Sequence, residues 1–146
     1  MYSLLFVIVI VVIVLLFLVW FWPTNEGYTN NDQHPVITYN LIGGIAGLND
    51  EWKIFSDGAV LKTDKDNNVV KRQISDDDMK KIKHLLKSIN YSKYAGNYET
   101  NAVIYDAFNY VITIYPNIEI SFKDAEMKLP GEVKKLQNVI ENAISE

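Results

Sequence analysis

Residues 51–63 read EWKIFSDGAVLKT, and this stretch decides the fold class of the chain. Apolar and polar side chains alternate through Glu51–Phe55, which is the pattern of a strand with one solvated face. Ser56–Gly58 follows, and Asp-Gly between two β-patterned runs is a strong hairpin signal because both residues accept positive φ. Ala59–Thr63 then returns as the partner strand. The stretch predicts an antiparallel hairpin within a sheet.

The segments on either side extend this sheet. Upstream, Val36–Ile42 is a predicted strand, and the glycine-rich run Gly43–Gly47 ends it with residues that tolerate unusual backbone angles. Downstream, Asp64–Asn68 is a predicted turn, after which Val69–Ile74 continues extended. The first half of the domain therefore predicts several consecutive strands.

A helix follows these strands. Ser75 is placed to cap it, and the three aspartates after Ser75 lie at the positive end of the helix dipole. The spacing of three, four and three predicts one apolar face, made of Met79, Ile82, Leu86 and Ile89. We interpret Tyr91–Tyr105 as irregular and rich in aromatic residues.

A second hairpin and a second helix complete the domain. Phe108–Tyr115 and Ile118–Phe122 flank Pro116-Asn117, and the later strand alternates in the manner of a sheet solvated on one side. Pro130 starts the last helix. Its predicted buried stripe is Val133, Leu136, Ile140 and Ile144. The order predicts an α+β domain with a mainly antiparallel sheet and two helices packed on one face, preceded by a single transmembrane helix.

The N-terminal residues predict a membrane anchor. Leu4–Trp22 is an unbroken apolar run of 19 residues, and at about 1.5 Å per residue it matches a hydrocarbon core of about 30 Å. It exceeds the roughly 7–15 residues of a signal-peptide core, and Met1–Ser3 has no basic side chain, so we expect retention rather than cleavage. The predicted organisation is an anchor at 1–23 that contacts membrane lipid through Leu4–Trp22, a polar tether at 24–35 and an α+β domain at 36–146.

Few charged residues near the apolar run indicate which way this anchor is oriented in the membrane. The first basic residue is Lys53, so the bias of Lys and Arg toward the cytoplasmic side has nothing to count near the apolar run. The amino terminus on one flank and Glu26 and Asp32 on the other favour a translocated domain. We expect a single-pass membrane protein with its domain on that side.

The charge and cysteine content exclude several classes of function. Everything after the apolar run holds all 14 Lys and Arg and all 18 Asp and Glu, evenly mixed. Binding to nucleic acid usually needs a basic patch, so we expect no nucleic-acid partner. Cysteine is absent, which excludes a disulfide framework, a thiol nucleophile and a thiolate metal site.

The chain carries no recognisable set of catalytic residues. His34 and His84 are its only histidines. Two are too few for a three-histidine zinc site, and their places in the tether and in a lysine-rich helix do not suit a histidine-based triad without unusual partners. Asp64–Asn68 places oxygen-bearing side chains like a calcium loop, but Val69 replaces the required glycine, and a plain turn explains it. Asp76–Asp78 are explained by helix capping. We expect no enzyme activity, no catalytic residue, no metal and no cofactor.

Two segments remain as candidate sites. The glycine-rich run lacks the Lys and Ser or Thr of a phosphate loop, so we interpret it as an exposed binding loop. Its residues are Gly43, Gly44, Ile45, Ala46, Gly47 and Leu48. Asn90-Tyr91-Ser92 is an acceptor sequon for N-glycosylation if the domain enters a glycosylating lumen. Tyrosines at positions 91, 94, 98, 105 and 110 are predicted to crowd one region, where core packing or a partner surface would use them.

The order of these parts resembles the emfourin family of small protease inhibitors. The resemblance rests on the Gly43–Gly47 run, the strand with Trp52, the Ser56–Gly58 turn, the helix from Ser75 and the later elements. Those later elements are Tyr110–Ile114, Phe122–Ala125 and Pro130 before the final helix. It implies a compact, non-enzymatic binding domain that blocks the cleft of a thermolysin-like metalloprotease through loops. Gly43–Leu48 would then belong to the contact surface.

An alternative function is left open by the composition. Heavy use of Asn, Ile and Lys is what an AT-rich genome encodes, and an anchor with a small displayed domain suits a structural membrane protein of a large DNA virus. A low-GC bacterium or a protist would give the same composition. A membrane-anchored binding domain, protease inhibitor-like by resemblance, and a component of a virion membrane are therefore the two functions to be weighed.

Overall fold

A computed structural model describes residues 34–98, 106–124 and 129–145 of the chain. These residues belong to one compact unit that runs from Asp32 to Glu146. The predicted anchor, Leu4–Trp22, and most of the predicted tether lie outside the described residues. Within the described part, no helix is both long and apolar enough to cross a membrane.

The described residues form a mostly antiparallel sheet with two α-helices, which confirms the predicted α+β class. The strands are β1 (Ile37–Gly43), β2 (Leu48–Ile54), β3 (Ala59–Thr63), β4 (Val69–Gln73), β5 (Gly96–Tyr98), β6 (Phe108–Ile114) and β7 (Ile118–Lys123). The helices are α1 (Asp76–Ser88) and α2 (Gly131–Ser145), with a short 3₁₀ helix at Tyr91–Tyr94.

The sheet has the strand order β4-β3-β2-β1-β6-β7-β5. All neighbours pair antiparallel except β5 and β7, which are parallel. The predicted hairpin at 51–63 is present, with Ile54 opposite Val60. Its Asp-Gly turn allows Phe55 N–H to donate to the Ala59 carbonyl at 2.9 Å, and Gly58 adopts the positive φ that this turn requires.

The core lies between one face of the sheet and the two helices. Ile37 pairs in register with Ile54 and Ile114, and Ile112 pairs with Ile120, so these side chains share a face. Side chains from both helices belong to the same buried cluster, notably Met79, Ile82, Leu85, Val133, Leu136 and Ile140. Both helices therefore pack on that face. All described members of the cluster come from positions after 35, so these residues form a hydrophobic core within the domain.

Several predicted positions need correction. In α1 Met79 and Ile82 are buried as predicted, Leu85 is buried in addition, and Leu86 and Ile89 are half-buried against the core. In α2 Ala143 is buried and Ile144 is half-buried. The segment interpreted as irregular, Tyr91–Tyr105, contains a 3₁₀ helix and strand β5 in its described portion.

The central strands run between two ends of the sheet, an entry end and a loop end. The entry end holds His34, Val36 and the β6–β7 turn Tyr115–Asn117, because Ile37 pairs with Ile114. The loop end holds the β1–β2 connection, because Gly43 pairs with Leu48 and with Phe108. Seven-residue strands separate the two ends by about 20–24 Å.

Candidate functional site

The predicted binding loop, Gly43–Leu48, is the connection between β1 and β2. Gly43 pairs with Leu48 at its base, and Gly47 N–H donates to the Gly44 carbonyl at 3.0 Å across the turn. Gly43, Gly44 and Gly47 have φ values of 117°, 70° and 58°. Non-glycine residues rarely adopt such angles, so the glycines set the shape of the turn.

Neighbouring backbone and side chains hold this loop in place. A Cβ added at Gly44 would lie 2.5 Å from Cε1 of Phe108, and one added at Gly43 would lie 2.6 Å from the Ala107 carbonyl oxygen. The start of β6 therefore packs directly beneath the loop. Among the described residues other than its chain neighbours, no heavy atom lies within 4 Å of a Cβ added at Gly47. One side of the loop is supported and the other is open.

Ile45 stands at the tip of the loop and is 89% exposed. A large aliphatic side chain on a supported turn is a ready contact for a partner, because its burial needs little further ordering of the loop. Ala46 beside it is also exposed. The structure thus places the six predicted residues together on an exposed loop, at the end of the sheet opposite His34.

A groove lies on the helix-covered face near the same end. It has a volume of about 260 Å³ and is formed between the ends of β6 and β7 and the first half of α2. Tyr110 and Phe122 line it with rings stacked at 5.1 Å. Lys134 and Gln137 of α2 supply polar groups on its other wall. Lys123 and Asp124 also line it, so the groove can accept a side chain with an apolar body and a polar end.

The floor of this groove continues into a row of aromatic rings across the sheet. Trp52, Tyr39, Tyr110 and Phe122 form the row, with centroid separations of 5.8, 6.1 and 5.1 Å. At its far side Lys62 Nζ lies 5.0 Å from the Trp52 ring centroid and 2.7 Å from Asp50 Oδ2. Asp50 is buried, with only 9% of its surface exposed, and Lys62 supplies the cationic partner that a buried carboxylate needs. Its role is therefore structural.

Tyr39 anchors α2 to the middle of the sheet. Its buried hydroxyl donates to Glu141 Oε1 at 2.6 Å, and Gln137 Nε2 donates to the same oxygen at 2.9 Å. Burial, followed by the hydrogen bond to the Glu141 carboxylate, raises the pKa of Tyr39 far above its usual value. The hydroxyl therefore stays protonated and acts as a structural donor.

The acidic residues that the sequence raised as candidates for chemistry have structural roles. Asp64 Oδ1 accepts from the backbone N–H of Asp66 and of Asn68 at 2.9 Å each, and the hydrogen bonds with Asn68 lower the pKa of Asp64. Ser75 Oγ accepts from Asp78 N–H at 3.1 Å, which confirms the predicted helix cap. Among the residues that the structure describes, no group of three His, Asp or Glu side chains could hold a metal ion.

The sequon and the predicted tyrosine group lie away from the loop. Asn90 is exposed at the end of α1, where its Oδ1 accepts from Ser92 N–H at 3.2 Å. Tyr91 and Tyr94 meet edge to face at 6.3 Å, and the Tyr98 hydroxyl donates to the Tyr94 carbonyl at 3.2 Å. Tyr110 belongs instead to the aromatic row. Position 105 lies outside the described residues.

The groove was not predicted from the sequence. Its walls come from strands near positions 110 and 122 and from a helix that starts after 130, so no local pattern joins them.

Comparison with protein-family models, with curated proteins and with solved structures gave no match to this chain.

Proposed function

We propose that this chain is a membrane-anchored, non-enzymatic binding domain that presents the Gly43–Leu48 loop to a protein partner. The observation that carries the proposal is the 89% exposure of Ile45 on a turn shaped by three glycines with positive φ. Loops that carry function are commonly held by a rigid scaffold in this way. The exposed tip and the nearby groove lie toward the same end of the sheet.

The predicted anchor precedes the entry end of the domain along the chain. The apolar run Leu4–Trp22 precedes the domain in the sequence, and the first described residue, His34, lies at the entry end. The loop end is the end of the strands away from that point. A domain attached to a membrane would gain from a raised effective concentration toward a partner at that surface.

The resemblance to the emfourin family suggests the class of partner. The resemblance implies a thermolysin-like metalloprotease as the partner, and the Gly43–Leu48 loop would enter the cleft of that protease. A projecting turn with an apolar tip has a suitable shape for such a cleft, and the acidic side chains Asp64, Asp78 and Glu141 are engaged in turns, caps and core contacts rather than in a shared pocket. This supports a binding role over a hydrolytic one.

Titration of the domain from Val36 onward against a thermolysin-like protease tests this function. Inhibition is expected at concentrations near that of the enzyme. Ile45→Ala removes three carbons at the tip and should weaken inhibition about 10- to 100-fold. Val69→Ala is the matched control, because Val69 is 62% exposed on β4, away from the loop. Unchanged protease activity at a large excess of domain would remove this partner class.

A structural role in the membrane of a large DNA virus particle is the second candidate. An anchor with a small displayed domain suits such a component, and the heavy use of Asn, Ile and Lys is what an AT-rich genome, viral or cellular, encodes. It predicts a stoichiometric protein partner in native membranes and no effect on proteases. Pulldown of the full chain from such membranes, with Ile45→Ala as the comparison, distinguishes the two: a constitutive partner retained by the variant favours the structural role.

A further inference from the structure

A second cleft opens at the entry end, on the side of the molecule away from the glycine loop. It has a volume of about 400 Å³ and lies between the end of α1 and the β6–β7 turn. Its lining is largely apolar, and none of the described residues that line it is charged. The lining side chains include Val36, Leu86, Ile89, Ile114, Tyr115 and Ile118. An open apolar cleft on a domain surface commonly marks an interaction site.

Lysines border this cleft on α1. Lys83 and Lys87 are exposed, one helical turn apart, and Lys83 is three residues from the cleft residue Leu86, so they share that side of the helix. The aspartates of α1 lie at its other end, where Asp77 and Asp78 pair with Lys80 and Lys81. The end of α1 beside the cleft is therefore basic.

An aromatic side chain projects at the tip of the same surface. Tyr115 is 54% exposed in the β6–β7 turn, and its ring stacks on His34 at 4.9 Å. Tyrosine favours the boundary between lipid headgroups and hydrocarbon, because its ring is apolar and its hydroxyl is polar. Apolar, basic and aromatic groups together are the composition of surfaces that lie in a membrane interface.

We propose that the entry end rests on an anionic lipid surface, with the cleft and Tyr115 in contact with lipid and Lys83 and Lys87 beside the headgroups. The proposal rests on the membrane anchor of the proposed function. Only residues 23–33 separate the apolar run from His34. As a random coil, eleven residues span about 17–20 Å, so the chain length keeps the entry end near the bilayer.

The short connection also explains how weak contacts suffice. A surface held within about 20 Å of the bilayer meets lipid at a high effective concentration, and each lysine near an anionic surface favours contact about fivefold. Pairing of two copies through this surface is less favourable, because a two-fold arrangement would bring the lysines of both copies together. Lipid is therefore the occupant that both charge and chain length favour.

The absence of cysteine allows a direct test in the full chain. Asn117→Cys places one fluorophore on the exposed β6–β7 turn, and Ala46→Cys places the matched control at the loop end. Each protein is reconstituted in phosphatidylcholine vesicles with or without phosphatidylglycerol and with a spin-labelled headgroup quencher. The label at 117 should lose fluorescence and shift to the blue in the anionic vesicles, and the label at 46 should not.

Charge variants identify the surface responsible. Lys83→Gln with Lys87→Gln should lower the ratio of docked to undocked domain about 25-fold and restore the fluorescence at 117. Lys65→Gln with Lys134→Gln removes the same charge from two exposed positions, one in the β3–β4 turn and one at the loop-end groove, and should leave the quenching unchanged.

Three results would overturn the proposal, and they separate it from the anchor. Equal fluorescence of the two labels in vesicles that retain the protein after alkaline carbonate would leave the anchor standing and refute docking. Release of the whole protein by carbonate would refute the anchor, and docking with it. Shielding of the label at 117 that depends on protein density and not on anionic lipid would assign the surface to a second copy.

Discussion

The packing of Phe108 beneath the glycine loop predicts that two glycines of this loop, Gly44 and Gly47, lose different amounts of stability when each is replaced by alanine. Gly44→Ala and Gly47→Ala each place a Cβ on a residue with positive φ, 70° and 58° respectively. The left-handed conformation costs an L-residue about 1–2 kcal/mol, so both variants share this loss. Only the Gly44 side chain meets an obstacle, because its Cβ would lie 2.5 Å from Cε1 of Phe108.

The obstacle sets the difference between the two variants. Carbon atoms pack at about 3.5–4.0 Å, so the Phe108 ring would have to move by about 1 Å or more. Overpacking of this kind costs about 1–3 kcal/mol. We expect Gly47→Ala to lose about 1–2 kcal/mol of unfolding free energy and Gly44→Ala to lose about 2–5 kcal/mol.

Urea unfolding of the domain from Val36 onward measures this difference. Trp52 is its only tryptophan and reports from the aromatic row. The two midpoints should differ by about 0.5–1.5 M at a typical dependence on urea. In a Phe108→Leu background the excess cost of Gly44→Ala should largely vanish. Equal losses for both alanine variants in the native background would refute the contact between the loop and β6.

Three further predictions concern buried hydroxyl groups. Tyr39→Phe should cost about 1.5–3 kcal/mol in urea unfolding, because it removes the hydrogen bond to the Glu141 carboxylate; a loss below about 0.5 kcal/mol would contradict that role. Tyr91→Phe should be neutral or stabilising by up to about 1 kcal/mol, because the buried Tyr91 hydroxyl has no hydrogen-bond partner among the described residues; a clear loss of stability would reveal a partner. Stability should also fall above about pH 10, where an unfolded tyrosine ionises, because burial raises the pKa of Tyr91 to about 12 and that of Tyr39 further. Because the pKa of Tyr39 is raised in the folded state, its contribution to the free energy of unfolding is complete below pH 10 and is lost as the pH rises. For Tyr39 the loss is about 1.4 kcal/mol per pH unit. The free energy of unfolding of Tyr39→Phe should therefore fall less steeply with alkaline pH than that of the unmodified protein.

The features that the sequence predicted correctly are those with a local physical cause. The turn at Asp57-Gly58 needs a positive φ at Gly58 and not at Asp57, and the Ser75 cap needs only a hydroxyl three residues before a backbone N–H. Both are present. The alternation in Ile118–Phe122 also holds, because Ile120 and Phe122 are buried while Glu119 is exposed.

The features that the sequence missed depend on distant partners. Strand β5, Gly96–Tyr98, contains glycine and asparagine, which are poor strand formers, and it exists through parallel pairing with β7. The choice of Leu85 over Leu86 as the buried position depends on how α1 sits against the sheet. The groove and the entry-end cleft each combine a helix with strands far away in the sequence, so periodicity could not locate them.

Glycosylation of Asn90 and lipid contact at the entry-end cleft would occupy the same space, so each predicts the absence of the other. Asn90 is exposed and lines the cleft that we propose to contact lipid. A glycan on Asn90 is bulky and hydrated, so it would hold the cleft away from a bilayer. A domain translocated into a glycosylating lumen would therefore stand off the membrane, whereas an unmodified domain would rest on it. Enzymatic removal of the glycan should then restore quenching at residue 117 in vesicles with anionic lipid, and Asn90→Gln should give docking wherever the facing leaflet is anionic.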